Sequence, residues 1–224
     1  PAGRAFIEAF LGCIYAGIVA VHAPSLRHRR RTPRTLALFD DFEPSFVLTE
    51  AAEYDNLSSA LRELRPDAPP CLATDTLEAG PTWVAPKVTG ASLALLQYTS
   101  GSTSRPKGTM ISHGNLLHNI RLLQGAFDVA ADTRQVSWLP HFHDMGLIAS
   151  VLMPIVTGSR AFLMAPESFV QRPLRWLEAL TEHRGTLSFA PNFAYELCCE
   201  KILPEQRHHL DLTAWSKAVN AAES

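Results

Sequence analysis

One stretch constrains this chain more than any other: Leu93 to Asn115, LALLQYTSGSTSRPKGTMISHGN. Leu93-Ala94-Leu95-Leu96 is apolar and short, the signature of a buried strand. It empties into Thr99-Ser100-Gly101-Ser102-Thr103-Ser104, six residues with five hydroxyls and one glycine. Arg105-Pro106-Lys107-Gly108 then adds cationic charge and turn chemistry, and Thr109-Met110-Ile111 reads as the next strand. This is the composition of a phosphate cradle. Small residues let backbone N–H groups approach an anion, hydroxyls donate further hydrogen bonds, and Lys107 neutralises charge. The Walker arrangement is excluded, because Lys107 lies between Pro106 and Gly108 and no Ser or Thr directly follows it to hold Mg²⁺. A polar surface loop between two strands is the plain alternative, and the adjoining Pro-Lys-Gly counts against it.

Around this loop, strand-like and helix-like segments alternate, which predicts an α/β fold with parallel-rich sheets flanked by helices. Ala5 to Tyr15 reads as a buried helix ended by Gly17, followed by a strand at Ile18–Val21. A signal peptide would also be apolar here, but Glu8 interrupts the run; a membrane span needs about 20 apolar residues. Five arginines between positions 27 and 34 mark a solvated connector. Helices are expected over Thr35–Phe42 and Glu53–Leu64, with strands at Phe46–Thr49 and Cys71–Ala73 inside a Pro-rich loop. Ser112 is a fitting N-cap for a helix carrying Leu116, Ile120 and Leu123. Further on, strands are expected at Val136–Leu139, Arg160–Met164, Thr186–Ala190 and Trp215–Val219. Helices are expected over Met145–Val156 and Pro173–His183 and from Pro191 onward, with Pro166–Gln171 left as a loop.

The formal net charge of −2 argues against a general nucleic-acid binder. Cys13, Cys71, Cys198 and Cys199 form no ligand pattern and read as reduced, buried thiols of a cytoplasmic protein. His141-Phe142-His143-Asp144 contains metal-ligating residue types, but its spacing departs from the His-x-His-x-Asp-His pattern of metallo-hydrolases. The sequence lacks an initiator Met and both ends fall inside apparent structure, as expected of part of a longer chain.

Tyr98 to Gly108 resembles the signature loop of the adenylate-forming superfamily, approximately Tyr-Thr-Ser-Gly-Ser/Thr-Thr-Gly-x-Pro-Lys-Gly, with Ser104 where glycine is usual. Trp138 to Ile148, WLPHFHDMGLI, and the segments QRPLRW and APNFAYELC are similar to the fatty acyl-AMP ligases within that superfamily. Asn220-Ala221-Ala222-Glu223-Ser224 stands where the family reads approximately Asn-Gly-Ala-Glu-Pro against adenine; Ala221 and Ser224 depart from it.

The resemblance implies the large N-terminal domain of an adenylate-forming enzyme, incomplete over residues 1–224. It implies a reaction joining a fatty acid to ATP with Mg²⁺, releasing pyrophosphate, and passing the acyl group to the phosphopantetheine thiol of an acyl carrier protein. Lys107 and His143 would be the catalytic residues. Thr99, Ser100, Gly101, Ser102, Thr103, Ser104 and Lys107 would hold the phosphates, and Asn220, Ala221, Ala222 and Glu223 the base. His143, Met145, Asn192, Phe193 and Tyr195 would border the acyl tunnel. The family's acidic metal ligand, ribose aspartate and second lysine have no place in this sequence, which leads to the expectation that residues 1–224 alone do not complete adenylation. Three other readings stay open: an acyl-CoA synthetase, a non-catalytic lipid- or nucleotide-binding module, and a metallo-hydrolase. No nucleic acid and no integral membrane segment are expected.

Overall fold

The computed structural model describes residues 3–23, 32–78, 80, 82–98 and 107–221. The chain divides into two compact units, one running from Gly3 to Asn115 and the other from Leu116 onward.

In the first unit, α1 (Arg4–Ala16) closes at Gly17 and leads to β1 (Ala20–Val21). Then come α2 (Thr32–Phe42), β2 (Val47–Thr49), α3 (Ala51–Leu64) and β3 (Cys71–Ala73). The loop region is framed by β4 (Leu93–Tyr98) and β5 (Gly108–Ser112). Strands β2 and β3 pair in parallel. The other sheet has the order β1-β4-β5, with β1 parallel to β4 and β4 antiparallel to β5. The strands flanking the loop are therefore a hairpin, an antiparallel element within an otherwise parallel set. Ala94 and Leu95 of the central strand β4 are buried, whereas Met110 of the edge strand β5 is exposed. Leu38, Phe39, Leu61 and Cys71 form a core between α2, α3 and β3, and Tyr98 packs against it. Only Cys71 of the four cysteines is buried and Cys199 is exposed, so the expectation of four buried thiols is corrected.

Helix α4 (His113–Ala126) begins with a reciprocal cap. The Asn115 N–H donates to Ser112 Oγ at 3.1 Å, and the Ser112 N–H donates to Asn115 Oδ1 at 3.0 Å. Two orphan donors of the first turn are satisfied this way. This matches the N-cap expected at Ser112.

The second unit is a parallel sheet of order β7-β6-β8-β9. Its strands are β6 (Arg134–Ser137), β7 (Arg160–Leu163), β8 (Leu187–Ala190) and β9 (Lys217–Asn220). All four residues of β8 are buried, as a central parallel strand covered on both faces requires. Between β6 and β7 runs a π-helical segment, Met145–Leu152, followed by α5 (Met153–Thr157). The apolar helix expected there exists, but its first eight residues are wound wider than an α-helix. Helices α6 (Pro166–Gln171) and α7 (Leu174–Glu182) join β7 to β8, and α8 (Asn192–Lys201) joins β8 to β9. The loop expected over Pro166–Gln171 is instead a helix, with Pro166 in its first turn and Phe169 fully buried. A proline at the first helical position loses no hydrogen bond, and burial of Phe169 outweighs the weak periodicity of six residues.

Trp176 of α7 is fully buried and donates from Nε1 to Ser188 Oγ at 3.0 Å; Ser188 Oγ donates in turn to the Val136 carbonyl at 2.6 Å. Its indole packs edge-on against Tyr195 and Trp215, both with centroids 5.4 Å away. Burying a side chain of this size contributes about 3 kcal/mol or more.

Candidate functional site

The chain leaves β6 to reach β7 on one side, and later places β8 and β9 on the other. The direction of winding reverses between β6 and β8. Loops at the carboxyl ends of the two strands diverge at such a point and leave a crevice, the usual place for a ligand in an open α/β sheet. The described residues that the sequence predicts for the site in this unit follow carboxyl ends. His143 and Met145 come after β6, Asn192, Phe193 and Tyr195 after β8, and Asn220 ends β9 with Ala221 next to it.

The β6 end is built from inside. Gln135 Nε2 donates to Ser150 Oγ at 3.1 Å, and Ser150 Oγ donates to Ser137 Oγ at 2.8 Å. Ser137 Oγ also accepts the Leu139 N–H at 3.2 Å. This buried network ties the strand to the π-helical segment. The turn that follows is tight. The His143 N–H donates to the Pro140 carbonyl at 3.0 Å, and the Leu147 N–H donates to the His143 carbonyl at 2.7 Å. A Cβ on Gly146 would lie 2.0 Å from the Pro140 oxygen, so only glycine fits there. Asp144 caps the segment, its Oδ1 accepting the Met145 N–H at 2.6 Å. The same oxygen sits 2.6 Å from His143 Nδ1. His143 is exposed, with its Nδ1 beside this carboxylate. His141, two residues earlier, is 4% exposed, and neither ring nitrogen has a hydrogen-bond partner. Burial lowers its proton affinity below the usual imidazole value. No group of three His, Cys, Asp or Glu among the described residues could hold a metal ion.

At the β8 end, Phe193 is 51% exposed and its ring stands edge-on to Trp138, with centroids 5.9 Å apart. Trp138 in turn stacks on Phe169 at 4.1 Å. An exposed phenyl ring on a rigid aromatic base is a surface suited to a hydrocarbon chain. Tyr195 is half-buried, and its hydroxyl donates to the Val219 carbonyl at 3.0 Å, pinning α8 to β9. Asn192 Nδ2 donates to Glu196 Oε1 at 2.6 Å, and Asn220 Nδ2 donates to Asn192 Oδ1 at 3.1 Å. The Ala221 N–H donates to the Ala190 carbonyl at 3.0 Å, which carries the β8–β9 pairing one residue past β9. Glu196 was not foreseen from sequence, although its spacing of four from Asn192 on one helix face was legible.

In the first unit, Thr99, Ser100, Gly101, Ser102, Thr103 and Ser104 lie outside the described residues, as do Ala222 and Glu223 in the second. Lys107 is described and exposed, one residue before β5. The loop's base is fixed by Tyr98 pairing with Gly108 across the hairpin. A Cβ on Gly108 would meet the Tyr98 ring at 2.8 Å, so the ring lies directly on the glycine. The Tyr98 hydroxyl donates to Asp41 Oδ2 at 2.5 Å. Burial, with Asp41 adding to it, pushes the phenol up to about 12. It therefore stays a hydrogen-bond donor at neutral pH.

A parallel α/β sheet with its loops gathered at the carboxyl edge, joined in sequence to a hydroxyl-rich hairpin loop, defines the class. Comparison with known proteins narrows it. The sequence profile described as "AMP-binding enzyme" matches residues 1–223, and the chain belongs to that family. It is 39% identical over 230 residues to the medium-chain-fatty-acid–acyl-carrier-protein ligase JamA of Moorena producens, covering 100% of this chain and 39% of that protein. It is 38% identical over 221 residues to the long-chain-fatty-acid–AMP ligase FadD26 of Mycobacterium marinum, covering 95% of this chain and 38% of that protein. The fold matches the crystal structure of a fatty acyl-adenylate ligase from L. pneumophila in complex with acyl adenylate and pyrophosphate. That match has a TM-score of 0.87 and 38% identity, and covers 100% of this chain and 39% of that one. The chain thus spans about two fifths of the length of these relatives. Among the described residues no helix is long and apolar enough to cross a membrane.

Proposed function

We propose that the protein carrying this chain activates a fatty acid with ATP, forming an acyl-adenylate and pyrophosphate, and then hands the acyl group to the phosphopantetheine thiol of an acyl carrier protein. Residues 1–224 belong, on this reading, to its large N-terminal adenylation domain. The observation that carries it is the gathering of His143, Phe193, Asn192 and Asn220 at the carboxyl ends of adjacent parallel strands, in a chain that also bears the TSGSTSRPKG loop. The resemblance of this chain to ligases named for fatty acids and a carrier protein supports the substrate and the acceptor.

The chemistry follows from charge. A carboxylate must approach the α-phosphorus of a polyanionic triphosphate. Lys107, with the hydroxyls and N–H groups of residues 99–104, screens that repulsion and stabilises the departing pyrophosphate. His143, beside Asp144, borders the reacting carboxylate, while Met145, Phe193 and Tyr195 line the path of the acyl chain. Asn220, Ala221, Ala222 and Glu223 lie against the base. Holding the acid in line with the leaving group supplies much of the remaining acceleration. Mg²⁺ is expected with ATP and supplies charge neutralisation when bound. The described side chains offer no three-ligand cage for it, so we assign it no protein ligand here. The four thiols are free, in keeping with a cytoplasmic enzyme.

ATP–pyrophosphate exchange by the full-length protein, with fatty acids of several chain lengths, tests the reading. Exchange should require a fatty acid and fall at least 100-fold in Lys107→Ala. Absence of exchange with every acid would sink it. A second reading, transfer to coenzyme A, has one specific support: the chain is 39% identical to the putative fatty-acid–CoA ligase FadD21 of Mycobacterium tuberculosis. Offering coenzyme A or holo-carrier protein as the acceptor separates the two.

A further inference from the structure

We propose that Glu196 is a positioning residue for the nucleotide's base, acting through Asn192 on Asn220. The proposal rests on the reading above that the base lies at the end of β9.

A carboxylate can only accept hydrogen bonds. Glu196 Oε1, 2.6 Å from Asn192 Nδ2, therefore fixes which way round the Asn192 amide lies. Asn192 Oδ1 must then face Asn220, and it accepts from Asn220 Nδ2 at 3.1 Å. This sets the second amide in turn. Among the described residues no group donates to Asn220 Oδ1, which leaves that oxygen for a donor beyond the relay at the carboxyl end of β9. The backbone beneath is held on both sides, since Tyr195 donates to the Val219 carbonyl and the Ala221 N–H donates to the Ala190 carbonyl. An acceptor held in place at this point selects a purine that presents an amino group and disfavours one that presents an oxygen. Adenine carries a 6-amino group and hypoxanthine a 6-oxo group. The relay is thus a specificity device whose first member touches no substrate. All three side chains are exposed, so substitutions in it leave the core intact.

Equilibrium binding of ATP and of ITP to the full-length protein, without fatty acid or turnover, tests this. The wild-type protein is expected to favour ATP. Glu196→Ala should narrow that preference about fivefold to tenfold, the worth of one oriented hydrogen bond. Glu196→Gln, whose side-chain oxygen still accepts from Asn192, should keep most of it. Combining Glu196→Ala with Asn192→Ala should narrow it no further than Asn192→Ala alone, because the two act in series. A purely structural loss weakens both nucleotides alike and leaves the ratio unmoved. An unchanged ratio in Glu196→Ala, or Glu196→Gln behaving as Glu196→Ala, would overturn the relay. Since binding is read without catalysis, failure of pyrophosphate exchange would leave this result interpretable by itself.

Discussion

The base of the hydroxyl-rich loop and the carboxyl edge of the parallel sheet are built in opposite ways. Among the described residues the loop base is held by the Tyr98–Gly108 strand pair, the Tyr98 hydroxyl on Asp41, Phe42 beside the Tyr98 ring with centroids 6.1 Å apart, and the packing of Tyr98 on the Leu38, Phe39, Leu61 and Cys71 core. Lys107 stands exposed next to it. At the sheet edge the visible residues rest on buried machinery: the Gln135–Ser150–Ser137 network, the glycine-tight turn at Pro140, and the Trp138, Phe169 and Trp176 cluster. The difference follows from what each part is proposed to hold. A phosphate is recognised by charge and N–H groups, which work beside water. A hydrocarbon chain is recognised by shape, which only close packing defines.

Three substitutions test that comparison. The largest effect is expected at the sheet edge. Gly146→Ala sets a methyl carbon against the Pro140 oxygen, and should cost about 3 kcal/mol by denaturant titration and abolish fatty-acid-dependent exchange. Near-wild-type stability would show that this turn yields, and that the edge is less rigid than its contacts imply. At the loop base the effect should be smaller. Tyr98→Phe removes the hydrogen bond to Asp41 while keeping the ring on Gly108, for about 1 kcal/mol. Weakened ATP binding with unchanged fatty-acid binding would place this contact in service of the loop. Equal loss for both ligands would dissolve the distinction between the two regions.

The third effect is of similar size and opposite sign. His141→Leu replaces a buried ring with unpartnered nitrogens by an apolar side chain, and should stabilise the protein by about 1 kcal/mol near pH 7. The sign of the pH dependence follows from burial lowering the folded value. The unfolded chain binds the proton more readily, so His141's contribution is intact above the ordinary imidazole value and is lost as the pH falls below it. The first unit has a counterpart in His22, where burial lowers the value from 6.5 to about 4. Stability should fall between those two pH values through His22 and persist in His141→Leu. Unfolding curves across that range separate the two contributions, and a flat profile in the wild-type protein would contradict both.

Much of this molecule was legible in the sequence because its signals are local. Glycine after a helix, Ser112 three residues before Asn115, and the apolar run entering TSGSTS each reflect a preference of a few adjacent residues. What escaped depended on distant partners. Pro166–Gln171 looks like a loop until Phe169 finds the Trp138 and Trp176 rings. The wide winding at Met145–Leu152 gives no periodicity that distinguishes it from an α-helix.

The sequence by itself determined the class of fold, the family and the residue types available for anion binding, since those reside in short-range order and composition. Only the tertiary structure decided which residues share a site. It brought Asn192 to Asn220 across 28 residues of chain and set Glu196 behind them. It also buried His141 while leaving His143 exposed two residues away. Burial and amide orientation are properties of what packs around a side chain, and no window of sequence contains that information.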